Sequence, residues 1–360
     1  MQETLKLLRL SKFTYSQSMQ YTRKIPGQLY LLIAVIMFAA SNSIVRKLTD
    51  IGAQHLVEGR NPISLCNVLF VSNLCALLVL IPGFYREFNW QKLRKISRQE
   101  WFFLLIVAIL SGALAPAFIF TALSKTMVSN VIIIGRVEPP LILALSVLIL
   151  GDRINRLEII GTFISLVGVV LTFSLSGVQN NYLLSGFMGL GTGEILTLLA
   201  VVAGVIATII TKAKLKHISL GIYINFRLLV GTIVFFILAN VLYGSHHFAE
   251  AFSPFLWQWM LLYGILIVAV GQFFLFKGLK SITISEASLV NSVSPIAGIV
   301  AATLILGEKL TIAHYIGGIV IIAGLLLTQI GIWKKTSPQK RVSKPDSMQE
   351  MDAKIGFKGI

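Results

Sequence analysis

Residues 123–172 read LSKTMVSNVIIIGRVEPPLILALSVLILGDRINRLEIIGTFISLVGVVLT, and 156 positions further on residues 279–328 read LKSITISEASLVNSVSPIAGIVAATLILGEKLTIAHYIGGIVIIAGLLLT. Thirteen of these fifty positions are identical without a gap. Any two apolar runs share residues by composition alone. A proline (Pro139, Pro295), a glycine followed by an acid (Gly151–Asp152, Gly307–Glu308) and two glycines seven apart (Gly161 and Gly168, Gly317 and Gly324), all in one register, mark an internal duplication. At an offset of 155, Ile63–Ser64–Leu65 also meets Ile218–Ser219–Leu220, which extends the duplication towards both halves' beginnings.

What is duplicated is membrane-spanning. The chain of 360 residues is 56% hydrophobic and only 13% charged, with a mean hydropathy of +0.82. Water-soluble domains hold about 25% charged residues, so the composition excludes an ordinary soluble enzyme, a disordered chain and a fibre. Apolar runs bounded by charge, Pro or Gly give ten expected spans, at 27–48, 62–84, 100–123, 127–150, 157–176, 187–211, 220–243, 255–276, 285–306 and 312–333. Five spans per copy is an odd number, so the second copy enters the membrane upside down relative to the first. The expected fold is all-α and integral to the membrane: ten transmembrane helices in two inverted five-helix repeats around a central cavity. The expected units are a basic cytoplasmic segment (1–26), a first repeat (27–176), an outer linker (177–186), a second repeat (187–333) and a basic cytoplasmic tail (334–360).

Charge sets the orientation. With the N-terminus inside, inner segments hold 24 Lys and Arg and outer loops hold five, which predicts both termini in the cytoplasm of a multi-pass plasma (inner) membrane protein. The formal net charge of +16 follows from this asymmetry, and no basic stretch interleaved with aromatics suggests nucleic acid. Cys66 and Cys75 lie nine apart in one run, on opposite helix faces, and cannot pair there. His246–His247 lacks a third ligand, so neither a metal nor another cofactor is expected. No Gly-x-Ser-x-Gly, His-Glu-x-x-His or phosphate-cradling loop occurs, so no enzyme activity is expected.

Val137–Glu138–Pro139 through Gly151–Asp152–Arg153, and Ser294–Pro295 through Gly307–Glu308–Lys309, resemble the repeated motif of the drug/metabolite transporter superfamily, EamA type. In that family a Pro-containing span ends in Leu-Gly-Glu plus a basic residue, followed by a Gly-containing span. The resemblance implies two inverted halves, a central cavity and transport of small metabolites such as amino acids. Asp152 stands where the motif usually has Glu.

Within this frame the expensive residues are candidates for function. A charge at the bilayer centre costs about 2.5–3.5 kcal/mol on insertion scales. Glu138 and Arg136, mid-way along the fourth span, therefore need a polar lining or a partner; Glu138 suits a substrate amine or a coupling proton, and Arg136 a carboxylate. Two residues apart on a regular helix they diverge by about 200°, so a direct pair requires a kink. Pro139, Pro140 and Pro295 supply kinks, and they deprive the carbonyls of Gly135, Arg136 and Asn291 of helical partners. Lipid cannot satisfy such carbonyls, so they face protein or a wet cavity, which makes these prolines candidate hinges and wall residues. Asn291 and Gln272 are neutral candidates for the same lining. Arg227 reads as a snorkelling residue near the inner surface, Glu194 as one reaching the outer surface, and Asp152 and Glu308 as solvated turns or caps of a neighbouring helix. The expected function is secondary transport of a small polar organic solute, in net export, by alternating access; the alternatives are a membrane-embedded enzyme and a non-transporting structural or regulatory protein.

Overall fold

A computed structural model describes residues 26–56, 59, 61–83, 93–151, 155–179, 191–243, 253–279, 282 and 284–335. Asp152, His246, His247, both tails and most of the outer linker fall outside the described residues.

The described residues form helices α1 (Gly27–Ala53), α2 (Leu65–Gly83), α3 (Arg98–Ile109), α4 (Ala115–Leu123), α5 (Val128–Gly135), α6 (Glu138–Leu150) and α7 (Arg156–Gln179). These continue as α8 (Thr192–Lys214), α9 (Leu220–Tyr243), α10 (Pro254–Tyr263), α11 (Gly271–Leu279), α12 (Ile284–Asn291), α13 (Ser294–Leu306) and α14 (Ile312–Lys335). Among the described residues there are no strands. Taken across their interruptions, nine of these stretches are long and apolar enough to cross a membrane, and a further, shorter apolar helix covers Cys66–Pro82. The protein is a multi-pass membrane protein. Its outward faces are apolar: Leu148 and Leu304, at equivalent places in the two copies, are each 79% exposed. Cys66 and Cys75 are both buried and free.

Local sequence explains where helices start and stop. Ser97 opens α3 through a capping box: its hydroxyl accepts from Glu100 N–H at 3.2 Å, and Glu100 Oε2 accepts from Ser97 N–H at 2.7 Å. Gly151 ends α6 at φ 68°, ψ 25°, and Gly307 ends α13 at φ 69°, ψ 23°; this left-handed region favours the residue without a Cβ. The two copies thus stop the same span in the same way.

The glycines seven apart zip α7 to α14. A Cβ built at Gly161 would lie 2.5 Å from the Gly324 carbonyl, and one at Gly168 would lie 2.9 Å from the Gly317 carbonyl. The early glycine of each helix faces the late glycine of the other, so the two helices run antiparallel. Ser165 Oγ donates to the Ile321 carbonyl at 3.3 Å. Residue 321 is the repeat equivalent of 165, so the local two-fold axis passes beside this bond. Small residues allow the backbones to meet where lipid supplies no hydrophobic drive.

The third and eighth spans each contain a π-helical segment, Leu110–Leu114 between α3 and α4 and Gly264–Val270 between α10 and α11. Sequence periodicity gave no sign of either. Pro116 follows the first segment by two residues and Gln272 follows the second by two. Such insertions widen the helix and often sit at functional places.

Candidate functional site

The fourth and ninth spans are both broken, as the prolines require. Before the first break, Arg136 N–H donates to Ile133 O at 3.0 Å and Val137 N–H to Ile134 O at 2.9 Å, a tightened turn three residues long. Before the second, Ser292 N–H donates to Leu289 O and Val293 N–H to Val290 O, both at 3.2 Å. Regular bonding resumes from Leu141 to Val137 at 3.2 Å and from Ala297 to Val293 at 3.0 Å. The break residues overlay: Val137 has φ −73°, ψ −20° and Val293 φ −74°, ψ −21°. Each span therefore consists of two half-helices whose ends meet inside the protein.

At the first break the chemistry is charged. Glu138 is the first residue of α6 and is only 8% exposed, at the end of a helix whose dipole favours a carboxylate. The Arg136 Nε is buried without a hydrogen-bond partner, and its guanidinium lies within electrostatic reach of the Glu138 carboxylate. Ser146, two turns further along α6, also buries an unpartnered hydroxyl.

At the second break the equivalents of Arg136 and Glu138 are Ser292 and Ser294. Asn291 is the last residue of α12 and Pro295 is buried at the second position of α13. Gln272 stands on a third span, 4% exposed, with its Oε1 buried and unpartnered. Arg136 and Glu138 thus flank the first break within electrostatic range of each other, Asn291 occupies the opposite break, and Gln272 sits beside a π segment.

The structure gives several other polar groups partners that the sequence does not identify, and Glu308 is the expected cap of a neighbouring helix. Arg227 does not snorkel to the inner surface: it is 6% exposed, its Nε has no partner, and its side chain packs on Gly112 within the π segment of the third span. The wider π turn puts a side-chain-free residue there, and a Cβ on Gly112 would lie 2.7 Å from the Arg227 carbonyl. Asn73, 4% exposed, meets Gly231 of the same α9. Glu194 turns inward and accepts from Asn130 Nδ2 at 2.9 Å and from the Thr126 hydroxyl. Glu308 caps a neighbouring helix 180 residues away in sequence, accepting from Val128 N–H at 2.6 Å and Ser129 N–H at 3.0 Å. Among the described residues no three His, Cys, Asp or Glu side chains gather as metal ligands.

Two discontinuous spans related by an internal repeat, with a buried Glu138 and a half-buried Arg136 flanking one break, are an arrangement found in membrane carriers. The model of the EamA-like transporter family matches the chain twice, over residues 25–174 and 191–330. The protein belongs to the EamA-like transporter family. An uncharacterized transporter of Synechocystis sp. is 41% identical to it over 350 residues, covering 97% of this chain and 100% of that protein. An uncharacterized transporter of Clostridium kluyveri is 24% identical over 90% of this chain and 99% of its own. The riboflavin transporter ImpX of Fusobacterium nucleatum is 24% identical over 72% of this chain and 86% of its own. A protein of known crystal structure shares the fold with a TM-score of 0.54 at 14% identity, covering 87% of this chain and 98% of that one. The family match and the names of these relatives identify the chain as a transporter of the EamA-like family.

Proposed function

We propose that this EamA-like transporter moves a small polar organic solute, an amino acid or a related metabolite, outward across the plasma membrane by alternating access. The reading takes ten spans as two inverted halves, residues 27–176 and 187–333, joined by an outer linker at 177–186. Both termini, residues 1–26 and 334–360, then lie in the cytoplasm, as the distribution of Lys and Arg requires. The observation that carries it is the pair of superimposable breaks at Val137 and Val293. Interrupted helices expose backbone groups at mid-membrane depth only where protein or water meets them, which makes the breaks the walls of a solute path.

In this reading Glu138 and Arg136 hold the amine and the carboxylate of a zwitterionic solute, or Glu138 carries a coupling proton. Asn291 and Gln272 line the same path. Pro139, Pro140 and Pro295 keep the half-helices from fusing, so each span rocks about its break. No cofactor enters the mechanism; the partners are the solute and the bilayer.

Counterflow in proteoliposomes tests the reading. Vesicles are loaded with a mixture of amino acids, small metabolites and riboflavin, the last prompted by the named relative, and solutes lost are identified by mass spectrometry. The expected result is selective loss of a small amino-acid-like solute that Glu138→Gln abolishes. Loss of riboflavin alone would move the substrate class to flavins. Equal release from wild type and Glu138→Gln would overturn the assignment of the site, and release no greater than from empty vesicles would overturn the transport reading.

A further inference from the structure

The outer ends of three spans, α5, α8 and α14, are tied by one hydrogen-bonded chain, and its donors and acceptors favour one protonation state. Glu194 on α8 has only acceptor oxygens when ionised, and it takes protons from the Thr126 hydroxyl and from Asn130 Nδ2 at 2.9 Å. The same amide nitrogen lies 3.0 Å from Thr126 Oγ1. The Asn130 amide is thereby oriented, and its Oδ1 can only accept. The atom facing that oxygen, at 2.9 Å, is Nε2 of His314 on α14. Nε2 must therefore carry a hydrogen. At the other side of the ring, Nδ1 receives Thr311 N–H at 3.4 Å and lies 2.6 Å from the Thr311 hydroxyl. Thr311 and His314 stand in the register of a capping box, with imidazole in the place usually held by Glu or Gln. The Asn130 oxygen and the Thr311 N–H on this 5% exposed side chain suit one form, the neutral ring protonated at Nε2, and the Thr311 hydroxyl can serve Nδ1 as donor or acceptor.

The same turn holds the two halves together. Three residues before Thr311, Glu308 accepts from Val128 N–H at 2.6 Å, Ser129 N–H at 3.0 Å and the Ser129 hydroxyl at 2.6 Å. The second half thus grips the start of α5, the half-helix that leads to the Arg136–Glu138 break. A proton added to Nδ1 converts an acceptor into a donor facing the Thr311 N–H, and it places a positive ring in the electrostatic range of Glu308. Both changes pull against the grip. The other charged groups near this end are Lys125 and Lys309, which are exposed, and Arg46, which donates to the Leu123 carbonyl and pairs with Asp50 at 3.2 Å. None of them meets the His314 ring.

We propose that His314 is a proton-binding site at the outer end of the protein, and that its protonation releases the Glu308 grip on α5. The proposal rests on the preceding reading only for which end is outside and for treating that end as a gate. Protons then act from the side towards which solute is exported, at a residue remote from Glu138.

The test reads gate opening without any solute. A cysteine at Val131, 3% exposed and one turn below the gripped start of α5, is labelled in proteoliposomes with a membrane-impermeant maleimide. Rates are taken relative to Lys125→Cys, an exposed position just ahead of α5, and the parent with only Cys66 and Cys75 supplies the background. Lowering the outer pH from about 7.5 to about 4.5 takes in the ordinary histidine range and about two units below it. The relative labelling of Val131→Cys should rise about tenfold, as loss of one ordinary hydrogen bond implies. His314→Gln retains a capping-box acceptor but no titrating ring, so the profile should become flat. Asn130→Asp sets a carboxylate against Nε2 and should move the rise to higher pH by about one unit or more. A flat profile in the parent series, an undiminished rise in His314→Gln, or an unmoved midpoint in Asn130→Asp would each overturn the proposal. Labelling needs no transported solute, so failure of counterflow and failure of this gate are separate results.

Discussion

The two spans that break at Val137 and Val293 have the same backbone and different chemistry. Their dihedrals agree within about a degree, and the glycines that end them agree within two. Yet Arg136 and Glu138 in the first copy are Ser292 and Ser294 in the second. The backbone break occurs in both copies and the charge in one. Backbone geometry is imposed by Pro139 and Pro295, which cost a helical hydrogen bond wherever they stand, so any copy that keeps the proline keeps the break. Side chains at the break are under no such constraint, so the two copies can carry different chemistry on the same backbone.

This comparison predicts unequal effects from equal substitutions. The largest is expected for Glu138→Gln, with counterflow falling about 100-fold, as loss of a buried charged contact worth 2–5 kcal/mol implies; a fall matched by Ser294→Ala would erase the distinction between the copies. Arg136→Gln should weaken apparent affinity for a carboxylate-bearing solute by about tenfold or more in concentration-dependent counterflow, while Ser292→Ala should leave it within about threefold. Where only backbone matters the copies should instead agree. Gly151→Ala and Gly307→Ala should each lower stability by about 1–2 kcal/mol, since both residues hold the left-handed conformation and nothing crowds a Cβ at either. Thermal unfolding in detergent would show this, and a gap wider than about 1 kcal/mol between them would mean that the turns are not equivalent. The smallest effect is expected for Gly135→Ala at the end of α5, where a Cβ meets open space: stability should stay within about 1 kcal/mol, with any change favourable.

What could be read in advance follows from the range of each interaction. Proline acts on its own helix, so Pro139, Pro140 and Pro295 announced the breaks, whereas the glycines seven apart marked the duplication without revealing that α7 and α14 pack on each other. Glu308 was legible only as a turn residue with a capping role, because its partner Val128 lies in the other copy. Arg227 was misread as snorkelling because nothing local reveals that the third span widens into a π segment at Gly112, where its side chain packs. His314 carried no signal at all: an isolated histidine in an apolar run acquires meaning only when Asn130 and Thr311 are placed on either side of its ring.

The bond from Ser165 to the Ile321 carbonyl joins a residue to its own counterpart across the seam of α7 and α14. A contact of that kind is what two like polypeptides make when each offers the same surface about a two-fold axis. The seam therefore has the symmetry of an interface between two separate chains, here joined into one. If the connection within residues 180–190 is severed, co-expressed fragments should associate in the membrane through that seam.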